Sequence, residues 1–142
     1  MQEQDYSQKD WAIIHAAPIR IFSFVAHADG KLHDEELQYF RTIWKERLRS
    51  RSFSDDETIN LFIKSVLEEA TTKTTIKPAT PVQVRDTLYL FKKTIGKREE
   101  AEPLRHAFAK LAQETADAAG AMLGKRTSKE EQRAVDFVIG SL

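Results

Sequence analysis

The sequence predicts an all-α fold: a compact, single-domain bundle of six to seven helices. Three observations lead there. Only 5 glycines and 4 prolines punctuate 142 residues, which leaves room for long uninterrupted elements. Apolar residues recur at spacings of three and four along most of the chain, the period of a helix with one buried face. Helix-start chemistry precedes several of these stripes. Nothing reads as a convincing strand.

The elements follow in order. Ser7 and Asp10 mark a start, and Trp11, Ile14, Ala17, Ile21, Phe24, Val25 and Ala28 form the stripe of a first helix over 8–28. Pro18 lies inside it and is expected to kink or divide it, because proline has no N–H to donate. Asp29-Gly30 ends this helix. A second begins near His33 or Asp34, with Asp34, Glu35 and Glu36 in a first turn that favours anions. Leu37, Phe40, Trp44 and Leu48 are its buried stripe. Ser54-Asp55-Asp56-Glu57 has the S-x-x-E pattern of a capping box, and Ile59, Phe62, Ile63, Val66 and Leu67 carry a third helix to about Ala70. Residues 71–81 read as the longest loop and as a loose seam between two halves.

Thr80-Pro81 suits an N-cap followed by proline at the first helical position. Val84, Leu88, Phe91 and Ile95 mark a fourth helix stopping near Gly96. A fifth runs from about Ala101 to Met122 on Leu104, Phe108, Leu111, Thr115 and Ala119, and Gly124 breaks it. Ser128 to Glu131 is a second capping box, followed by Ala134, Phe137 and Val138 in a short last helix. Trp11, Phe24, Phe40 and Trp44, at helical spacing, are expected in the core.

Bulk composition narrows the function. A chain of this length buries roughly 68–70% of its unfolded surface, so it needs neither disulfide nor metal to stay folded. Hydrophobic residues at 41% and charged residues at 31% describe an ordinary folded domain rather than a disordered one. With 22 basic and 22 acidic residues, no global attraction to nucleic acid or an anionic membrane is expected. The absence of cysteine excludes thiol catalysis, disulfides and cysteine-based metal sites. The first ten residues carry no signal-peptide core, and no apolar run is long enough to span a bilayer. The expectation is a cytoplasmic protein with no membrane span, although peripheral association stays open.

The most informative stretch is Ala26-His27-Ala28-Asp29-Gly30-Lys31-Leu32-His33-Asp34-Glu35-Glu36-Leu37. It resembles the signature turn of the tellurite-resistance TerB-like family, in which one helix ends in Ala-Asp-Gly and the next begins with a glutamate six residues after the glycine. The resemblance implies a compact all-α bundle with two such turns. It also implies a role in bacterial resistance to tellurite and related chemical stress, and an acidic site for a divalent metal ion (Ca, Mg, Mn or Zn). The positions carried over are Asp29 and Glu36. A weak internal echo supplies the second turn: aligning Gly30 with Gly124 also aligns Lys31 with Lys125 and Glu36 with Glu130, as in a degenerate duplication. That turn departs from the family pattern, with Leu123 in place of the acid and Lys125 and Arg126 after the glycine, so Glu130 is its one matching carboxylate.

The residues themselves allow two readings. Asp29 and Glu36 can converge on a hard cation, with Glu130 as second-turn partner. Alternatively, Asp29 caps the turn and Glu36 closes a capping arrangement on the second helix. The segment also mimics the second half of an EF-hand loop, but Val25 and His27 stand where the first ligands belong. His27 and His33 flank the turn and read as surface histidines. Glu102 and His106 are four apart and have no counterpart for a di-iron site. Phosphate loops, nucleophile elbows and H-E-x-x-H motifs are absent. Lys92, Lys93, Lys97 and Arg98, with Lys125 and Arg126, are either an anion patch or cations favoured at helix ends. The function expected is therefore non-enzymatic: a TerB-like stress-response module, or else a metal-free helical scaffold or homodimerisation domain that binds a protein partner.

Overall fold

A computed structural model describes residues 1–30, 32–72, 76–122 and 127–142. Among these residues the chain forms six α-helices: α1 (Gln8–Ala26), α2 (Asp34–Arg49), α3 (Glu57–Thr72), α4 (Pro81–Ile95), α5 (Ala101–Met122) and α6 (Lys129–Ser141). A single 3-10 turn, Glu3–Asp5, precedes them. The helix break expected at Gly124 lies outside the described residues.

The hub is α1, which packs against α3, α4, α5 and α6, while α2 lies on α3 and α5 and α6 closes on α4 and α5. The loop between α3 and α4 thus joins two elements of one core. Ile14, Ala17, Ile21, Phe22 and Val25 of α1 are wholly buried. The neighbours answer with stripes of the same period: Ile59, Ile63 and Val66 from α3, Val84, Leu88 and Phe91 from α4, and Leu104, Phe108 and Leu111 from α5.

Pro18 does not divide α1, so the count is six rather than seven. It removes the N–H that would reach the Ile14 carbonyl, at about 3 kcal/mol in an isolated helix. Here Ile14, Ala17 and Ile21 around it are fully enclosed, and packing on several sides holds the segment helical.

Three of the expected caps are present. The Ser7 hydroxyl accepts the Asp10 N–H at 3.0 Å. Thr80 and Gln83 exchange backbone-to-side-chain bonds at 3.0 and 3.1 Å, and Ser128 and Glu131 do the same. At α3 the cap is displaced from Ser54 to Asp56. The Asp56 carboxylate accepts the Thr58 N–H at 2.9 Å and the Thr58 hydroxyl at 2.7 Å. These bonds, the hydroxyl's foremost, hold its pKa below the usual carboxylate value. An ionised acceptor makes stronger bonds than a hydroxyl. Ser54 is turned to other use: its Oγ accepts the Asp56 N–H and its carbonyl accepts from the Asn60 side chain.

Aromatic rings join the layers. Phe22 meets Phe40 edge-on at 5.1 Å, Phe40 stacks on Trp44 at 5.8 Å, and Trp44 tilts against Phe53 at 5.7 Å. Trp11 and Phe24, expected in the core, sit half-buried at its rim, Trp11 between Tyr6 and Phe62 and Phe24 against Phe137.

The N-terminal segment is clamped to the start of α5. The Tyr6 hydroxyl donates to Glu100. The Arg98 guanidinium lies 4.1 Å over the Tyr6 ring and its Nε is 3.2 Å from Glu100. Arg98 is therefore a structural cation rather than part of a free basic patch. Burial and then the Glu100 bond push the Tyr6 hydroxyl's pKa up. Burial opposes ionisation of Glu100, but the Tyr6 bond and the Arg98 charge outweigh it and hold that carboxyl below its usual value. Tyr6→Phe is expected to cost about 1 kcal/mol, the net worth of one hydrogen bond, measurable by urea unfolding. Among the described residues no helix is long and apolar enough to cross a membrane.

Candidate acidic site at the junction of helices 1, 5 and 6

The first turn begins where α1 unwinds. The His27 N–H still reaches the Ser23 carbonyl at 3.2 Å, and the Gly30 N–H closes onto the His27 carbonyl at 3.1 Å. Gly30 has φ of +143°, and a β-carbon at this position would meet nothing within 4 Å; its requirement is conformational, not spatial. Gly30→Ala should cost about 1–3 kcal/mol, the range for a side chain held in such backbone, and a thermal melt will show it.

The residues expected to share a metal sit in different settings. Asp29 is exposed at the end of the turn, and Glu130 is exposed in the first turn of α6. Glu36 is half-buried and accepts the His33 N–H at 3.3 Å, so it performs the capping role. Among the described residues no group of three or more His, Asp or Glu side chains is arranged to hold a metal ion. His27 is fixed by its Nδ1, which donates to the Ser23 carbonyl at 2.7 Å, while His33 and His106 are exposed. Glu102 pairs with Arg105 rather than with His106.

The carboxylate that stands out is Glu131, one residue beyond the expected Glu130. Its residue surface is only 2% exposed. One oxygen accepts the Ser128 N–H at 3.0 Å. The other, Oε2, is buried with no hydrogen-bond partner among the described residues. Burial pushes this carboxyl's pKa up; the Ser128 bonds oppose that, and the negative charges of Asp29 and Asp117 reinforce it. Asp117, on α5, accepts from the Gln113 amide at 2.9 Å and from the Thr127 hydroxyl at 2.8 Å, tying the approach to α6 back onto α5. Carboxylates from the end of α1, from α5 and from the start of α6 thus act on one another electrostatically.

The two turns do correspond, but through their caps. Glu36 and Glu131 occupy the same third position of α2 and α6 and make the same backbone bond. Glu131 lies seven residues after Gly124, whereas Glu36 lies six after Gly30. Counting from the glycine therefore selects Glu130, and counting from the capping box Ser128–Glu131 selects the buried acid. Lys31, Leu123, Gly124, Lys125 and Arg126, on which the glycine alignment and the departure of the second turn rest, lie outside the described residues.

Chemically, carboxylates offer oxygen ligands, which suit Ca²⁺ or Mg²⁺ better than a softer ion. The free oxygen of Glu131 fits such a group, and Asp29 and Asp117 add negative charge around it. In comparisons with family models, with curated proteins and with solved structures, the chain matches none.

Proposed function

We propose that this chain is a non-enzymatic, TerB-like module of the bacterial response to tellurite and related chemical stress, holding a divalent cation beside Glu131. The observation that carries the reading is a buried carboxylate with one unpartnered oxygen and two further acids acting on it. An unsatisfied buried polar group is costly, and mutual repulsion adds to that cost. A bound cation relieves both. Glu131 and Asp29 would hold the ion, Asp117 would add charge, and Glu36 would keep the α2 turn in place. The cation's effect is to lock the ends of α1 and α6 together, a binding-linked ordering rather than a reaction.

The test is a thermal melt of chelator-treated protein against added Ca²⁺, Mg²⁺, Mn²⁺ and Zn²⁺. A ligand that binds only the folded state adds about 2.7 kcal/mol at a hundredfold excess over Kd. The expected result is a selective upward shift that disappears in Glu131→Gln and in Asp29→Ala, with helix content unchanged. If no ion shifts the melt, the cation reading fails.

One observation favours a second reading, a metal-free scaffold or dimerisation domain. Val82, Tyr89 and Leu90 of α4 are 54%, 61% and 47% exposed, and at helical spacing they share one outward face. Sedimentation analysis of the wild type beside Tyr89→Asp distinguishes this reading, which requires a self-association or a partner interaction that the variant loses.

A further inference from the structure

A second site lies on the C-terminal half of α2, away from its acid-rich start. A groove of about 410 Å³ runs between α2 and α3, within the size range of small-molecule sites. Its accessible apolar lining comes from Leu48 of α2 and Leu61 of α3, with Trp44 and Leu67 nearly closed over beneath them. Leu61 is 55% exposed although it is a large aliphatic side chain.

The groove's charges are unbalanced. Arg41, Lys45 and Arg49 line it from α2 and Lys64 from α3, against Glu57 and Glu68. Glu57 is already engaged by Arg51 at 3.6 Å. Lys45, Arg49 and Lys64 have no ion-pair partner among the described residues. The Arg41 guanidinium donates to the Thr71 carbonyl through one nitrogen, but its Nε is buried without a partner among the described residues, as are Trp44 Nε1 and Asn60 Oδ1. The wall thus combines an apolar floor, three unpaired cations at the rim and unmet hydrogen-bonding capacity beneath.

From this juxtaposition we infer that the α2–α3 groove binds a monomeric single-chain amphiphile with an anionic head, its tail on Leu48 and Leu61 above the Trp44 ring and its head among Lys45, Arg49 and Lys64. An apolar floor alone would accept any hydrophobe. The cationic rim selects an anion, and the small volume of the groove suits a small molecule over a protein segment.

The experiment uses the full chain carrying Trp11→Phe, which leaves Trp44 as the remaining one of its 2 tryptophans. Chelator is present throughout, so the outcome is independent of any cation site. Trp44 emission is followed while sodium decanoate is added below its micelle concentration, with decanol and propionate as controls. A saturable change is expected with decanoate alone. Combining Lys45→Gln, Arg49→Gln and Lys64→Gln should weaken binding roughly tenfold, as the loss of several partly exposed charge contacts does. Leu61→Asp should weaken it as well, with circular dichroism and melting of both variants unchanged. No saturable change, an equal response to decanol, or an unchanged Kd in the triple variant overturns the inference. So does cosedimentation with phosphatidylglycerol vesicles, or capture of an acidic amphipathic peptide, by a protein that ignores decanoate.

Discussion

Phe22→Ala is expected to lower the unfolding free energy by about 3–5 kcal/mol, the usual loss for a phenylalanine truncated in a close-packed core. Domains of this kind have about 5–15 kcal/mol in all, so much of the population could unfold at modest temperature. The reason lies in what the ring touches. Phe22 is wholly buried on α1 and lies edge-on to Phe40 at 5.1 Å and to Trp44 at 6.1 Å, both on α2. Trp44 in turn leans on Phe53 in the segment leading to α3. Removing the first ring leaves a void bordered by rings that cannot collapse into it without leaving their rotamers. Urea unfolding of Phe22→Ala and Phe22→Leu gives the size of the effect. A double-mutant cycle with Phe40→Leu should return a coupling of about 0.5–1.5 kcal/mol for the ring pair. A loss below about 1 kcal/mol in the alanine variant, well under the range for such truncations, would show that the cluster does not hold α2 to α1.

In metal-free protein, Glu131→Gln is expected to be stabilising near neutral pH, by about 1 kcal/mol, the scale of an unsatisfied buried group. The amide keeps the oxygen that accepts the Ser128 N–H; Gln83 already fills the equivalent position of α4 in this same chain. It removes the buried charge that Asp29 and Asp117 repel. The pH dependence provides a sharper check. Glu131's folded pKa is raised above its ordinary 4.5, so between those two values the folded state binds more protons than the unfolded one. Stability therefore falls as pH rises through that window. Asp56 and Glu100, whose pKa values are lowered, work in the opposite sense, losing stability as pH falls below the ordinary carboxylate range. The difference between wild type and Glu131→Gln isolates the first effect: the variant's advantage should vanish at low pH and grow toward neutrality. Glu131→Ala should instead cost about 1 kcal/mol through loss of the cap.

What can be read from the sequence is what depends on neighbours along the chain. The buried faces of α1 to α5 and the starts at Ser7, Thr80 and Ser128 follow from spacing and from side chains that reach only three residues. Pro18 misleads because its local penalty is real, while the packing that overrides it comes from four other helices. The α3 cap moves because Asp56 is a better acceptor than Ser54 and Asn60 draws the Ser54 carbonyl away, a contact six residues distant. The acidic site is legible in part. Asp29 and Glu36 fall at the turn, but Glu131 is reached only by numbering from its own cap. Its proximity to Asp29 and Asp117 is tertiary, and no local pattern encodes it. The unpaired cations beside Trp44 have no signal either, since a charged helix end is ordinary until its partners are known to be absent.

The place of α1 at the hub bears on how the chain acquires its structure during synthesis. This helix leaves the ribosome before the other five, yet it packs against α6, which leaves after them. Neighbouring pairs such as α2 with α3 and α5 with α6 can form as soon as they emerge, because their contacts are local. The α1 surface that ends at Phe24 has to wait for Phe137. Until α4 and α5 emerge, therefore, a nascent chain carries a largely unmatched apolar helix, the kind of surface that chaperones engage and that aggregates when release comes early. A product terminated before residue 129 would retain five of the six helices yet leave the part of α1 around Phe24, and the faces of α4 and α5 that α6 covers, permanently open, and degradation rather than residual function is its expected fate.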